Sequence, residues 1–375
     1  MVLPKQKKKG RTVMKKLFAI LISAILVVSA IVGITSCGNG DDDGTGSSAG
    51  SSDDGSYSST GSNGNSDENI NETKYNQAFA LIDEGKYEEA YEVLEALGDY
   101  KDAKDHLERF GYFPTVIEYV LSDRSGVMTS TLGEFNLPTH MVSEGTVGVK
   151  DGVYTYDEKG LLLQQSVTYE GVVSTYDYSY DANDRMILAE YRQDGTLVSY
   201  NEYEYDEKGN CTREAYILGD EVYYNYRNYY DENGRVERIE SEVDGYVYTF
   251  TYNEDGNRTA ERGEAPDGTY YTIALTYTEN GELAKEVYTS GDNVETVDYA
   301  YNTEGYRTKM VLTLSNGYQE MTTWEYDENG NAIKEEFTST DGGYECVETQ
   351  YTFVYLTIDV PAATLSQLKI IYTIR

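Results

Sequence analysis

Tyr203-Glu204-Tyr205-Asp206-Glu207-Lys208-Gly209-Asn210-Cys211 contains the phrase that sets the architecture of this chain. A tyrosine is followed by an aspartate, two polar residues and a glycine. The Asp side chain can accept a hydrogen bond from the backbone two residues on, and the Gly supplies a left-handed conformation. Together they specify a type I turn closed by a glycine bulge, a common β-hairpin connection. The phrase recurs from Tyr156, Tyr180, Tyr205, Tyr230, Tyr252, Tyr277, Tyr301 and Tyr326, at spacings of 22 to 25 residues. A fixed period of that size marks a stacked array rather than a single enzyme core. Seven of the eight copies carry Gly four residues after the Tyr, and Asp184 takes that place in the other.

A second turn follows 14 to 16 residues after each Tyr, at Gly171, Gly195, Gly219, Gly245, Gly268, Gly291, Gly317 and Gly342. Two turns per period make each repeat a hairpin. Two positions before the key Tyr stand Tyr154, Tyr178, Tyr203, Phe250, Tyr299 and Trp324, and the residues between are small or acidic. Period-two alternation puts the rings on one face. After the turn comes an apolar slot (Leu162, Met186, Cys211, Val236, Leu283, Ala332), then a basic row (Arg213, Arg238, Lys285, Lys309, Lys334) suited to cross-strand ion pairs. The expected fold is an all-β repeat array, an antiparallel β-hairpin meander forming a curled or partly closed strip. Twisted sheets of about 16 strands curl rather than stay flat.

Period, phrase and hairpin plan resemble the YD-repeat, or Rhs-repeat, family. The best local matches are Tyr205-Asp206-Glu207-Lys208-Gly209-Asn210, Tyr230-Asp231-Glu232-Asn233-Gly234-Arg235 and Tyr326-Asp327-Glu328-Asn329-Gly330-Asn331. The resemblance covers roughly residues 150 to 355. It implies a long antiparallel strip, which in large family members spirals into a hollow shell around a toxic cargo. This sequence has eight copies, no Asp-Pro-x-Gly closing motif and no cargo-sized segment after the array. A complete shell is therefore not expected.

The amino terminus reads as a bacterial lipoprotein signal, residues 1–37. Six basic residues between Lys7 and Lys16 precede an uncharged run from Leu17 to Ile34, which ends in Ile34-Thr35-Ser36-Cys37. Cys37 is the expected lipid-attachment residue, with Met1 or Met14 as the start. The competing reading is an uncleaved membrane span. Both put the remainder on the extracytoplasmic face of the cell membrane. Removing residues 1–37 takes seven of the 30 basic residues and no acid, leaving 23 against 66 and a formal charge of −43. Such a surface repels nucleic acid and anionic lipid, and favours basic proteins or cations as charged partners.

Residues 38–72, rich in Gly, Ser and Asp, read as a disordered tether. Residues 73–110 carry helical spacing, and Gly85-Lys86-Tyr87-Glu88-Glu89-Ala90 resembles half of a tetratricopeptide repeat. This short α-helical hairpin is expected to dock on the first strands and cover an open sheet edge. Residues 111–355 form the array, with Tyr112 and Tyr119 in degenerate leading strands. Residues 356–375 form a capping segment in which Lys369–Ile374 reads as a final strand.

No catalytic, metal or cofactor constellation stands out. His106 reads as solvated on a charged helix, and His140 as structural. Cys211 reads as a small buried hydrophobe rather than half of a disulfide with Cys346. Acidic turns such as Asn253-Glu254-Asp255-Gly256 lack the ligand spacing of a calcium loop. The candidate binding face is the aromatic stripe: Tyr154, Tyr156, Tyr178, Tyr180, Tyr203, Tyr205, Phe250, Tyr252, Tyr299, Tyr301, Trp324 and Tyr326. The sequence leaves open whether that stripe is core or an open surface. The function expected is a non-enzymatic, lipid-anchored structural or adhesive scaffold for a cell-surface protein or glycan. A carbohydrate binder or glycan hydrolase is the alternative, and a toxin-shell remnant the third.

Overall fold

The computed structural model describes residues 64–368, so Cys37, the signal and most of the tether lie outside the described residues. Three helices come first: α1 (Gly64–Asp83), α2 (Tyr87–Glu95) and α3 (Ala103–Leu107). The strands begin with β1 (Phe110–Val120), β2 (Ser125–Leu132), β3 (Pro138–Gly145), β4 (Gly148–Tyr156), β5 (Leu162–Tyr169), β6 (Val172–Tyr180) and β7 (Met186–Gln193). They continue as β8 (Thr196–Tyr205), β9 (Cys211–Leu218), β10 (Glu221–Tyr230), β11 (Val236–Ser241), β12 (Val247–Tyr252), β13 (Arg258–Glu264) and β14 (Tyr270–Tyr277). The last are β15 (Leu283–Ser290), β16 (Asn293–Tyr301), β17 (Arg307–Thr313), β18 (Gln319–Tyr326), β19 (Ala332–Ser339) and β20 (Tyr344–Tyr355), followed by helix α4 (Ala362–Leu368).

Every strand pairs antiparallel with its sequence neighbours, and β20 pairs with β1 over ten residue pairs from Phe110↔Tyr355 to Val120↔Cys346. The array is therefore a closed 20-stranded meander. This corrects the expectation of a partly closed strip. The reason is that the first and last strands complement each other as a repeat would. Tyr351 stands 25 residues after Tyr326 and its hydroxyl donates to the Ala332 carbonyl at 3.1 Å, as the key tyrosines do in their own repeats. The register break between Pro114 and Val116 faces Tyr351, where a repeat carries its bulge. A degenerate copy of the turn also precedes the eight: Gly133 N–H donates to Leu137 and Asn136, at φ +59°, donates to Gly133. Ten hairpin units thus close the ring, the tenth formed by the two chain ends without a connecting turn.

The turn chemistry follows the residues. In all eight copies the Asp-position N–H donates to the carbonyl four residues on, as Asp206 does to Asn210 at 2.9 Å. Gly209 closes the turn at φ +95°, and Asp184 takes φ +59° where no glycine is present. The Asp206 carboxylate accepts from the N–H groups of Lys208 and Asn210, at 2.9 and 2.8 Å. A bulge precedes the key Tyr in each copy, for example between Glu204 and Tyr205, and bulges add the local twist that closure needs. The second turns also use left-handed glycines, including Gly171 at +81° and Gly342 at +91°.

The helices pack at the end of the barrel that carries the Tyr-Asp turns. Ala90, Tyr91, Leu94 and Ala103 bury against Phe110, Tyr112, Phe353 and Tyr355, on the ends of β1 and β20. They do not cover an open edge, since closure leaves none. They clasp the seam where the chain ends meet. A second cluster of Phe113, Leu137, Val354 and Leu356 receives Leu365 and Leu368 of α4. Thr364 on α4 accepts a hydrogen bond from the Leu162 N–H at 3.0 Å. The tail thus forms a helix over 362–368, the closing strand is β20, and residues 369–375 lie outside the described residues. Helix α1 begins at Gly64, inside the stretch expected as tether. Glu72 is tied there to Tyr100 (2.8 Å) and Lys101 (2.6 Å), which offsets the cost of ordering a polar segment.

Candidate functional site

Closure divides the sheet into an inner and an outer face, and strand pairing assigns the residues. The row holding Tyr154, Tyr178, Tyr203, Phe250, Leu275, Tyr299 and Trp324 is inward, since its buried members include Tyr154, Tyr203, Leu275, Val297, Met310 and Thr322. The outer face carries the exposed Val153, Val173, Val222 and Val294, and the ion pairs of the basic row. There Arg213 lies 2.9 Å from Glu204, Arg238 2.8 Å from Glu240, Lys285 2.9 Å from Asp298, and Lys334 3.2 Å from Glu336. Arg213 and Lys285 thus pair across strands as expected, as does Lys334 with Glu325 at 3.5 Å, whereas the Arg238–Glu240 and Lys334–Glu336 contacts lie within one strand.

The key tyrosines have one shared task. Each hydroxyl donates to a main-chain carbonyl 16 to 19 residues earlier, in the preceding repeat: Tyr156 to Pro138, Tyr180 to Leu162, Tyr205 to Met186 and Tyr230 to Cys211. Tyr252 to Val236, Tyr277 to Arg258, Tyr301 to Leu283 and Tyr326 to Arg307 complete the series, at distances of 2.6 to 2.8 Å throughout. These hooks join each hairpin to the one before it. Tyr156, Tyr180, Tyr205, Tyr252, Tyr301 and Tyr326 are therefore structural ties at the Tyr-Asp rim.

The second half of the stripe lines the interior. Tyr178, Phe250, Tyr299 and Trp324 are half-buried, as are Tyr176, Tyr226, Tyr248 and Tyr271. Twenty strands at 4.8 Å and a tilt of about 40° enclose a ring roughly 40 Å across if round. The inward row mixes buried members such as Tyr154, Tyr203 and Met310 with half-buried ones such as Tyr178, Tyr299 and Trp324. Burial still perturbs the hydroxyls: it pushes Tyr154 and Tyr176 up to about 12 and raises Tyr178 further, so all remain neutral donors.

A feature not singled out by sequence reasoning is a row of inward carboxylates nine residues after the key Tyr. Cross-strand pairing places Glu214 opposite Tyr203, Glu261 opposite Phe250, Glu286 opposite Leu275 and Glu335 opposite Trp324. Each accepts a hydrogen bond from a neighbouring ring: Tyr224 to Glu214 (3.2 Å), Tyr271 to Glu261 (2.7 Å), Tyr299 to Glu286 (2.6 Å) and Trp324 Nε1 to Glu335 (2.7 Å). Burial pushes the Glu214 carboxyl up to about 7, and also raises Glu335. The signal was available as a fixed slot in the period, but Gln165, Ala189, Ile239 and Met310 fill it in the other copies and hide the pattern.

The remaining candidates fall elsewhere. His106 is half-buried rather than solvated: Nδ1 lies 2.6 Å from the Tyr355 hydroxyl, and its ring meets Phe79 edge-on at 4.8 Å. The helices' docking on β20 excludes water that the helix pattern alone would admit. His140 pairs with Asp151 at 2.9 Å on the outer face. Cys211 is buried, and no disulfide joins it to Cys346. Among the described residues no group of three His, Cys, Asp or Glu side chains is placed to hold a metal, and no helix is long and apolar enough to cross a membrane.

Residues 230–270 match the RHS Repeat family model. No curated protein matches the chain. Among solved structures it is similar to TcdB2-TccC3-TEV, at 15% identity over 58% of this chain and 15% of that one, with a TM-score of 0.32. It is also similar to the Photorhabdus luminescens Tc holotoxin pore, at 14% identity over 63% and 17%, with a TM-score of 0.32. A porin-like protein from Bacteroides uniformis follows at 10% identity over 64% and 98%, again with a TM-score of 0.32. The chain spans less than a fifth of the length of the toxin chains it matches.

Proposed function

Because residues 230–270 are an RHS repeat and the other copies share its turn, bulge and tyrosine hook, we propose that this YD-repeat chain is a lipid-anchored binding scaffold on the extracytoplasmic face of a bacterial membrane, without catalytic activity of its own. The observation that carries the scaffold reading is closure by the chain's own ends. The array is complete without a partner to cover its edges, so its inner wall and outward rim are free to serve a ligand. The clasp of helices follows the tether in sequence and packs at the Tyr-Asp rim. A strongly acidic chain, at −36 overall, suits a basic partner.

The reading is tested by metabolic labelling with a radioactive fatty acid and by protease treatment of intact cells. The natural chain takes label, stays with the membrane and is cut from outside. Cys37→Ser loses the label and is released. Label on the Cys37→Ser protein, or full protection from external protease, rules the reading out. A second reading, a reduced enclosing shell, draws on the same closed inner wall. Co-purification of a chain protected inside the barrel would favour it.

A further inference from the structure

Beyond the scaffold role, on which this inference rests, we propose that the inner wall at Glu286 and Glu335 recognises a basic polypeptide segment, each of these two carboxylate–ring pairs taking one arginine or lysine side chain. Three pairs lie along this stretch of wall: Glu261 with Tyr271, Glu286 with Tyr299, and Glu335 with Trp324. In the Glu286 and Glu335 pairs the ring donor engages one carboxylate oxygen and leaves the second for another donor, whereas at Glu261 Arg258 already takes the second oxygen. A carboxylate beside an aromatic face attracts guanidinium and ammonium groups through both charge and ring quadrupole.

The chain itself shows what this wall accepts. Arg258 lies over the Phe250 ring at 5.5 Å and reaches the second oxygen of Glu261 at 3.4 Å. Arg307 lies between the rings of Tyr299 and Trp324, at 5.3 and 5.4 Å. Glu286 and Glu335 repeat the carboxylate and the ring without a salt bridge of their own among the described residues. A second kind of observation marks the same place. Thr322, two residues before Trp324 on the inward face, is 1% exposed and its Oγ1 lacks a hydrogen-bond partner among the described residues.

Spacing selects a chain over a small cation. Glu261 and Glu286 occupy the same slot of adjacent repeats, two strands apart, or about 10 Å. That is too far for one ion to bridge, but three residues of an extended chain cover it. Glu335 stands two repeats beyond Glu286, about 20 Å, so basic residues six apart along a strand-like segment, which share one face of it, match these two carboxylates. The net charge of −36 raises the local concentration of such a segment.

Trp324 is the chain's single tryptophan, so the site reports on itself. The full chain in detergent is titrated with hexa-arginine, following Trp fluorescence, in parallel with cellohexaose and hexaglutamate. A saturable change with the arginine peptide, weakened roughly five- to tenfold by either Glu286→Gln or Glu335→Gln, is expected. The outer-face variant Glu204→Gln should bind as the natural chain does. Urea unfolding checks that each variant is folded, and the two inward substitutions stand in for each other if one is not. Three results overturn the proposal: no fluorescence change, equal weakening by Glu204→Gln, or a response to cellohexaose alone. The fatty-acid label at Cys37 is read separately, so the two readings fail independently.

Discussion

Replacing Tyr205 by phenylalanine removes one tyrosine hook and little else. The Tyr205 hydroxyl donates to the Met186 carbonyl at 2.8 Å, while its ring packs under the Arg185 guanidinium at 4.7 Å. Phenylalanine keeps the ring, the guanidinium contact and the volume. The loss is one neutral hydrogen bond with a half-buried acceptor, about 1 kcal/mol net. Tyr301→Phe, which frees the Leu283 carbonyl, should cost the same. The two hooks lie four repeats apart and share no partner, so the double variant should lose about 2 kcal/mol. Urea unfolding of the natural chain and the three variants measures this, with an unchanged m-value showing that the folded and unfolded ensembles are otherwise the same. Single losses under about 0.3 kcal/mol would mean that water replaces the hydroxyl at no cost, and that the hooks do not bind the hairpins together.

The turn argument is isolated at Gly256, which sits at φ +85° with nothing near its would-be Cβ. Gly256→Ala should therefore destabilise by about 1–2 kcal/mol through backbone strain alone, read as a fall in the urea midpoint. Burial raises the Glu214 carboxyl from its ordinary 4.5 to about 7, so between those values the folded chain holds a proton that the unfolded chain has lost. Stability should accordingly fall as pH rises from 4.5 to 7. Glu214→Gln should flatten that slope and gain on the order of 3 kcal/mol at pH 8 in urea titrations. Nitration read by mass spectrometry should spare Tyr154 and Tyr203, at 6% and 7% exposure, and modify Tyr223 and Tyr270, at 58% and 54%.

Much of the array was legible because its rules are local. Asp206 and Gly209 decide their turn within five residues, and alternation around Tyr203 and Tyr205 decides which side chains share a face. The hooks were not legible as hooks. Tyr205 advertises an aromatic position, and only the register of the preceding strand brings Met186's carbonyl to its hydroxyl. The Glu261, Glu286 and Glu335 row was visible only as acids among many, since direction into the barrel is a property of the closed sheet. His106 shows the same limit: its helix pattern reads as charged surface until β20 covers it.

The sequence by itself determined the repeat, both turns of each period, the alternating faces and the match of basic and acidic residues on the outer one. Each depends on contacts within a hairpin or between neighbouring repeats. Tertiary structure alone decided that the strip closes, because closure joins residues as distant as Phe110 and Tyr355, and no local rule counts repeats until the last strand meets the first. Curvature accumulated from every bulge and twist brings those ends together. The same closure turns an aromatic stripe of undecided exposure into the lining of an enclosed wall.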